Sequence, residues 1–175
     1  MLRAYKYRLY PNLSQETLLR KTFGCVRVVW NHNVEVFNRY DRNLETQDKP
    51  STSTELRRGR EWMQEVSAAA LQQKEADFIA FKKQFFSKTR KKGLGRPKFK
   101  GRDGAQSFRL PNQKFTLGDG VIRLEKIGKV KVVIDRRPPL GCKIMSVTVS
   151  RNPSGQYFAS VLVETEVEKK PLTAG

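Results

Sequence analysis

Residues 87–102 read SKTRKKGLGRPKFKGR, eight Lys or Arg in sixteen positions with no acid among them. The chemistry open to such a run is ionic. Side chains this close repel one another and hold the segment solvated. A polyanion relieves that repulsion and releases its own condensed counterions on binding. A solvated basic linker is the plain alternative for the run alone. The whole chain argues further: its 175 residues carry 35 basic and 17 acidic side chains, a formal net charge of +18 and a pI near 10.3. An excess of this size points to a polyanionic partner.

The candidates for gripping a nucleic-acid backbone are Lys6, Arg8, Lys82, Lys83, Lys88, Arg90, Lys91, Lys92, Arg96, Lys98, Lys100 and Arg102. Each phosphate contact adds affinity and carries no sequence information. For about half of them, solubilising charge is the competing reading. Base edges are read by short polar side chains offering paired donors and acceptors. Ser53, Gln72, Asn112 and Gln113 are of that kind. An exposed helix glutamine and an asparagine following Pro111 in a turn are the structural alternatives for Gln72 and Asn112. Tyr10, Phe99 and Phe108 could stack on unpaired bases, a contact worth about 1–3 kcal/mol per base. Core burial is the better reading for Phe108, and Phe99, flanked by Lys98 and Lys100, is the better platform.

Catalytic chemistry finds little support. His32, the one histidine, lies between two asparagines with no nucleophile beside it, which favours a structural role. Cys25 and Cys142 form no CxxC pair and do not supply a zinc site, so two free thiols in a reducing cytoplasm are expected. Asp103, Asp119, Asp135 and Glu164 fall in turns or at strand ends, not as the converging carboxylates that two-metal hydrolysis requires. Apolar runs are too short to span a bilayer, and MLRAYKYRLYP contains no signal-type apolar core. A cytoplasmic prokaryotic protein without a membrane partner is the expectation.

These residues need elements to position them. Alternation over the first ten residues predicts a strand with Tyr5, Tyr7 and Leu9 on one face and Lys6, Arg8 and Tyr10 on the other. Pro11 stops it. Asn12 and Gln15 have the spacing of a capping box for a helix to about Phe23, with Gly24 breaking or bending it. Val26, Trp30, Val34, Phe37 and Tyr40 form the stripe of a second helix, giving a helix-turn-helix-like start. Residues 41–53 read as a loop. Thr52 or Ser53 caps a helical turn from Leu56 to Met63. A longer helix spans about 66–88, with Leu71, Phe78, Phe81 and Phe85 inside and Gln72, Gln73, Lys74, Lys82 and Lys83 outside.

After the basic run the period becomes two. Strands are expected at 106–110, 114–117, 121–125, 130–134, 144–150 and 156–164, the last two joined by the turn Asn152-Pro153-Ser154-Gly155. The lone N-terminal strand needs partners and finds them at the C-terminal end. The fold class is therefore α+β: an OB-like antiparallel barrel with a helical lobe inserted after its first strand.

Several stretches resemble one family. Ala4–Asn12 (AYKYRLYPN) and Lys21–Asn31 (KTFGCVRVVWN) resemble the start of the TnpB (OrfB) proteins, transposon-encoded RNA-guided nucleases related to type V CRISPR effectors. Gly95–Lys100, Gln106–Arg109, Leu124–Gly128, Val147–Arg151 and Gly155–Ser160 resemble further motifs in the same order, with Glu125 where the family has proline. The resemblance implies a wedge barrel from residues 1–11 and 106–167, a recognition lobe at 12–88, a basic linker at 89–105 and a tail at 168–175. It implies guide RNA and double-stranded target DNA as partners. The RuvC-like nuclease domain and its Mg2+ are not expected in this sequence, so no cofactor and no catalysis are expected of it. Three functions follow: a non-catalytic guide-RNA- and DNA-binding module that reads a target-adjacent motif, the targeting half of an endonuclease whose RuvC domain is on another chain or lost, or a DNA-binding regulator acting without RNA.

Overall fold

The computed structural model describes residues 1–166, so the expected tail at 168–175 lies outside the described residues. Seven strands form one antiparallel sheet: β1 (Leu2–Tyr10), β2 (Gln106–Pro111), β3 (Phe115–Leu117), β4 (Val121–Leu124), β5 (Gly128–Val133), β6 (Lys143–Arg151) and β7 (Tyr157–Glu164). Their spatial order is β2-β6-β7-β1-β5-β4-β3. The two edge strands are consecutive in the chain and joined only by a 3-10 turn, Asn112–Lys114, so the edges meet at one corner and the sheet curls into a nearly closed, OB-like barrel. β1 lies between β7 and β5, which is the closure its lone alternating pattern requires: Tyr5 faces Val161, and Leu9 faces both Tyr157 and Val132. The β6–β7 turn is the expected four-residue one. Asn152 Oδ1 accepts from Gln156 N at 2.8 Å, and Gly155 takes φ +87°, a conformation glycine adopts without strain.

Three helices fill the insertion: α1 (Leu13–Asn38), α2 (Ser53–Arg58) and α3 (Ala68–Phe86). The capping box at the start of α1 is formed, with Gln15 N donating to Asn12 Oδ1 at 2.9 Å and Asn12 N donating to Gln15 Oε1 at 3.0 Å. Gln15 Nε2 also donates to Lys129 O at 2.5 Å, tying the helix start to β5. α1 does not break at Gly24. A glycine inside a helix costs only about 1 kcal/mol relative to alanine. The buried residues Leu19, Phe23, Val26 and Val29 run through it without a change of face, so packing keeps the helix continuous. Thr52 caps α2 through Glu55, and Gly59 ends that helix, so the single turn expected to Met63 becomes α2 plus a 3-10 turn, Glu61–Glu65.

The core has two clusters. One cluster fills the barrel and takes in α1 as far as Val29, Leu56 of α2, Met63 and the start of α3, and within it the rings of Phe23 and Phe108 lie 5.4 Å apart. The second joins Val34 and Phe37 of α1 to Phe78 of α3, with Trp30, Phe81 and Phe85 packed against it. Its edge-to-face pairs, such as Phe37–Phe85 at 5.3 Å, each contribute about 0.5–1.5 kcal/mol beyond buried area. The aromatic stripe of α3 is therefore packing. Tyr40, expected on the α1 stripe, lies past the helix end and is exposed.

Candidate nucleic-acid interface

The basic segment is docked. Trp30 Nε1 donates to Lys98 O at 2.9 Å. Asn31 Nδ2 donates to Lys100 O at 3.0 Å, and Lys100 N donates back to Asn31 Oδ1 at 2.8 Å. Pro97 is buried beneath. Three cations lie on aromatic faces of the helices: Arg90 on Phe85 at 4.2 Å, Arg96 on Phe37 at 5.9 Å and Lys100 on Trp30 at 4.3 Å. Such contacts hold a cation in place while leaving its N–H groups free to donate. Among the described residues, none of the eight Lys or Arg of this segment belongs to an ion pair. The expectation of a freely solvated linker is corrected: backbone hydrogen bonds and cation–π contacts lay it along α1 and α3, with the charges outward.

A second basic surface is built by strand register. The residues of β1 that alternate with its buried side chains are Lys6, Arg8 and Tyr10. Across from them on β7 is Phe158, opposite Arg8, with the Lys6 ammonium 4.5 Å and the Arg8 guanidinium 5.5 Å from its ring. Arg8 also lies 5.2 Å from the Tyr10 ring. On the other side of β1, Tyr10 pairs with Lys131. The strand face thus carries cations interleaved with aromatics, the arrangement that grips a backbone and offers stacking surfaces. Phe158 and Lys131 carry no local sequence signal of this role. Pairing register brings them to β1, and only the alternation within their own strands hints at it.

The remaining candidates separate. Gln72, Lys82 and Lys83 are exposed on α3, and Asn112 and Gln113 are exposed on the 3-10 turn at the barrel corner. Phe99 and Tyr10 are exposed, while Phe108 is 1 % exposed and belongs to the core. Ser53 needs correcting as a base reader. It is 2 % exposed, and both its N (2.9 Å) and its Oγ (2.5 Å) donate to Glu75 Oε2. Its polar groups hold α2 to α3, because a buried hydroxyl without a partner is costly.

Lys74 also departs from expectation. Placed outside by its sequence pattern, it is buried, with its ammonium 3.7 Å from Asp77. Burial, and then the nearby Lys100 charge, pull its pKa below the usual lysine value, while Asp77 opposes that. Asp77 also accepts from Arg109 Nη2 at 2.5 Å, and Gln73 accepts from Arg109 Nε at 3.0 Å, so Arg109 fastens β2 to α3. His32 accepts from Ser51 N at 2.9 Å through Nε2, a structural contact. Cys25 is a free thiol that burial pushes to about 11. Among the described residues no group of three or more His, Cys, Asp or Glu could hold a metal, and no helix is long and apolar enough to cross a membrane.

Comparison with known proteins follows the same line. A family model described as a helix-turn-helix domain, of the OrfB/IS605 type, matches residues 1–43. In this structure those residues form β1 and the uninterrupted α1. A protein of Streptomyces pristinaespiralis named "Putative RNA-guided DNA endonuclease" is 33% identical over 98% of this chain and 44% of its own length. The Escherichia coli K12 protein named "Putative RNA-guided DNA endonuclease InsQ" is 28% identical over 95% of this chain and 41% of its own. The chain thus spans less than half the length of the curated relatives it matches.

Proposed function

We propose that this chain, TnpB/OrfB-like over nearly its whole length, is the guide-RNA- and DNA-binding part of an RNA-guided system. One observation carries the reading. Among the described residues the eight cations of the basic segment have no acid partner, and the segment is tied to the α1/α3 surface at Arg90, Arg96, Lys98 and Lys100 by Trp30, Asn31 and aromatic faces, so a backbone meets a partly ordered row of charge. Pre-ordering lowers the entropy lost on binding. Lys6 and Arg8, with Phe158 and Tyr10, form a second contact on the barrel.

In this reading RNA takes the barrel face and the basic segment, and Gln72, Asn112 and Gln113 read a short motif in the duplex beside the target. The relatives' names motivate the DNA substrate. The wedge and recognition roles are assigned to the barrel and the helical insertion. Cleavage, with Mg2+, is assigned to a RuvC-type domain and to none of the residues described above. Supplying such a domain and recovering guided cleavage would extend the reading to the targeting half of an endonuclease. A regulator acting on DNA alone is less well supported, since both curated relatives are named for RNA-guided activity.

The test is to purify the chain from its host in moderate salt and sequence the nucleic acid it retains. A single discrete RNA is the expected result. No RNA, or a random mixture, contradicts the proposal.

A further inference from the structure

A groove of about 660 Å³ opens where α1, the 3-10 turn after α2, the end of the basic segment and the β6 end converge. Four arginines line it: Arg20 and Arg27 from α1, Arg102 from the segment and Arg151 from β6. The one carboxylate in the wall, Glu65, is taken by Lys21 at 2.5 Å. Among the described residues, none of the four arginines has a carboxylate partner, and Arg151 Nε is buried with no hydrogen-bond partner at all. Guanidiniums gathered like this repel one another: burial first, and then Arg102, disfavour the charged form of Arg27. A bound anion reverses both costs.

The groove has an aromatic lip. Trp62 is 50 % exposed and its indole belongs to the lining, although it lies beside the buried Met63. Gln106 holds another part of the wall. Its Oε1 accepts from Arg27 Nη1 at 2.5 Å, and its Nε2 contacts the carbonyls of Gly101 (2.9 Å), Arg102 (3.1 Å) and Gly104 (3.0 Å). One buried amide thus orients Arg27 and folds the loop that carries Arg102. Gly24 lines the groove too. A Cβ there would meet only Arg27 Nη2, at 3.6 Å, so the missing side chain leaves open space at the α1 surface.

We infer that this groove binds one unpaired nucleotide, its phosphate held by Arg20, Arg27, Arg102 and Arg151 and its base stacked on Trp62. Within the function proposed above, on which this inference rests, the nucleotide is a bulged or single-stranded residue of the bound RNA. A planar aromatic at the lip and a fork of guanidiniums behind it match a nucleoside phosphate better than an isolated phosphate. Gln106 is a positioning residue: it shapes the groove and need not touch the ligand.

The test uses the 175-residue chain, with tryptophan fluorescence read during titration with three probes: a single-stranded oligoribonucleotide, AMP, and inorganic phosphate. The oligonucleotide is expected to quench the protein strongly, AMP weakly and phosphate hardly at all. Trp62→Ala removes the AMP quench, leaves only the Trp30 signal with the oligonucleotide, and weakens oligonucleotide binding about tenfold to a hundredfold, the range for loss of one stacked base. Gly24→Leu fills the groove without changing charge, and leucine is the better helix former. It is expected to weaken the oligonucleotide to a similar degree while its melting temperature does not fall. Gln106→Leu weakens the oligonucleotide too, and also raises trypsin cleavage after Arg102, which loss of a direct contact would not do. Arg42→Ala with Lys49→Ala, two exposed cations of the loop before α2, serves as the charge control and leaves the quench intact. Oligonucleotide binding unchanged in both Trp62→Ala and Gly24→Leu overturns the groove inference while leaving RNA binding standing. AMP quenching without oligonucleotide binding keeps the groove and overturns the RNA reading. No probe binding overturns both.

Discussion

Asn31 and Lys100 hold each other by two reciprocal hydrogen bonds, side-chain amide to backbone carbonyl at 3.0 Å and backbone N–H to side-chain oxygen at 2.8 Å. An asparagine side chain here copies one rung of a β-ladder and pins the basic segment to α1, far from it in sequence. The Lys100 ammonium then lies 4.3 Å from the Trp30 ring, next to the site where Trp30 Nε1 holds Lys98 O.

Asn31→Ala removes both bonds together. At about 0.5–1.5 kcal/mol each, the segment loses about 1–3 kcal/mol of attachment. Trypsin cleavage within 88–102 is expected to accelerate about tenfold, with little change in the melting temperature of the barrel. An unchanged cleavage rate would show that the clasp is not what orders the segment.

Glu75 takes two donors from Ser53 on one oxygen. Glu75→Ala leaves the buried Ser53 N–H and hydroxyl without partners, and a loss of about 1–3 kcal/mol follows. Urea unfolding measures it. A Ser53→Ala loss as large as that of Glu75→Ala would contradict the assignment, since the backbone N–H keeps its acceptor in the serine variant.

Asp77 is shared by Lys74 and Arg109. Asp77→Asn leaves a buried ammonium beside Lys100 with no counter-charge and loosens β2 from α3. Destabilisation of about 1–3 kcal/mol is expected, and Lys74→Met in that background should recover much of it. Additive losses in the double-mutant cycle would show that the two residues are not coupled.

Cys25 is held protonated by burial, its pKa raised to about 11 from an ordinary value of 9.0. Between those values the unfolded chain ionises and the folded one does not, so unfolding is favoured as pH rises through that window. Stability is full below about pH 9 and falls by about 1.4 kcal/mol per unit of pKa shift above it. Cys25→Ala should flatten that decline. At pH 8, thiol reagents should modify the half-buried Cys142 and spare Cys25 until the chain unfolds. Equal rates for the two cysteines would place Cys25 nearer the surface than this structure does.

The barrel was legible because its signals are local. Alternation marks each strand, the turn Asn152–Gly155 fixes one hairpin, and the unpaired alternation of β1 demands partners elsewhere. The Asn12–Gln15 box set the start of α1 by the same kind of short-range rule. Gly24 misled because its backbone cost is smaller than the packing of Phe23 and Val26 on either side. Lys74 and Ser53 misled because polarity predicts exposure only where no partner waits. Asp77 and Glu75 supply partners from one helical turn away and from another helix. The basic composition points to the electrostatic half of the candidate interface. The clasp of Asn31 on Lys100, the Phe158 platform and the arginine groove all join residues distant in sequence, and no window along the chain contains them.

The claim that the segment from Lys88 to Arg102 forms the electrostatic footprint is tested most directly by the salt dependence of RNA binding. Each phosphate contact contributes a slope of about −0.7 on a single strand. Changing Lys91, Lys92, Lys98 and Lys100 to alanine is expected to flatten the plot of log affinity against log salt by about 2–3. A slope equal to that of the unaltered chain would contradict the account and move the footprint elsewhere on the molecule.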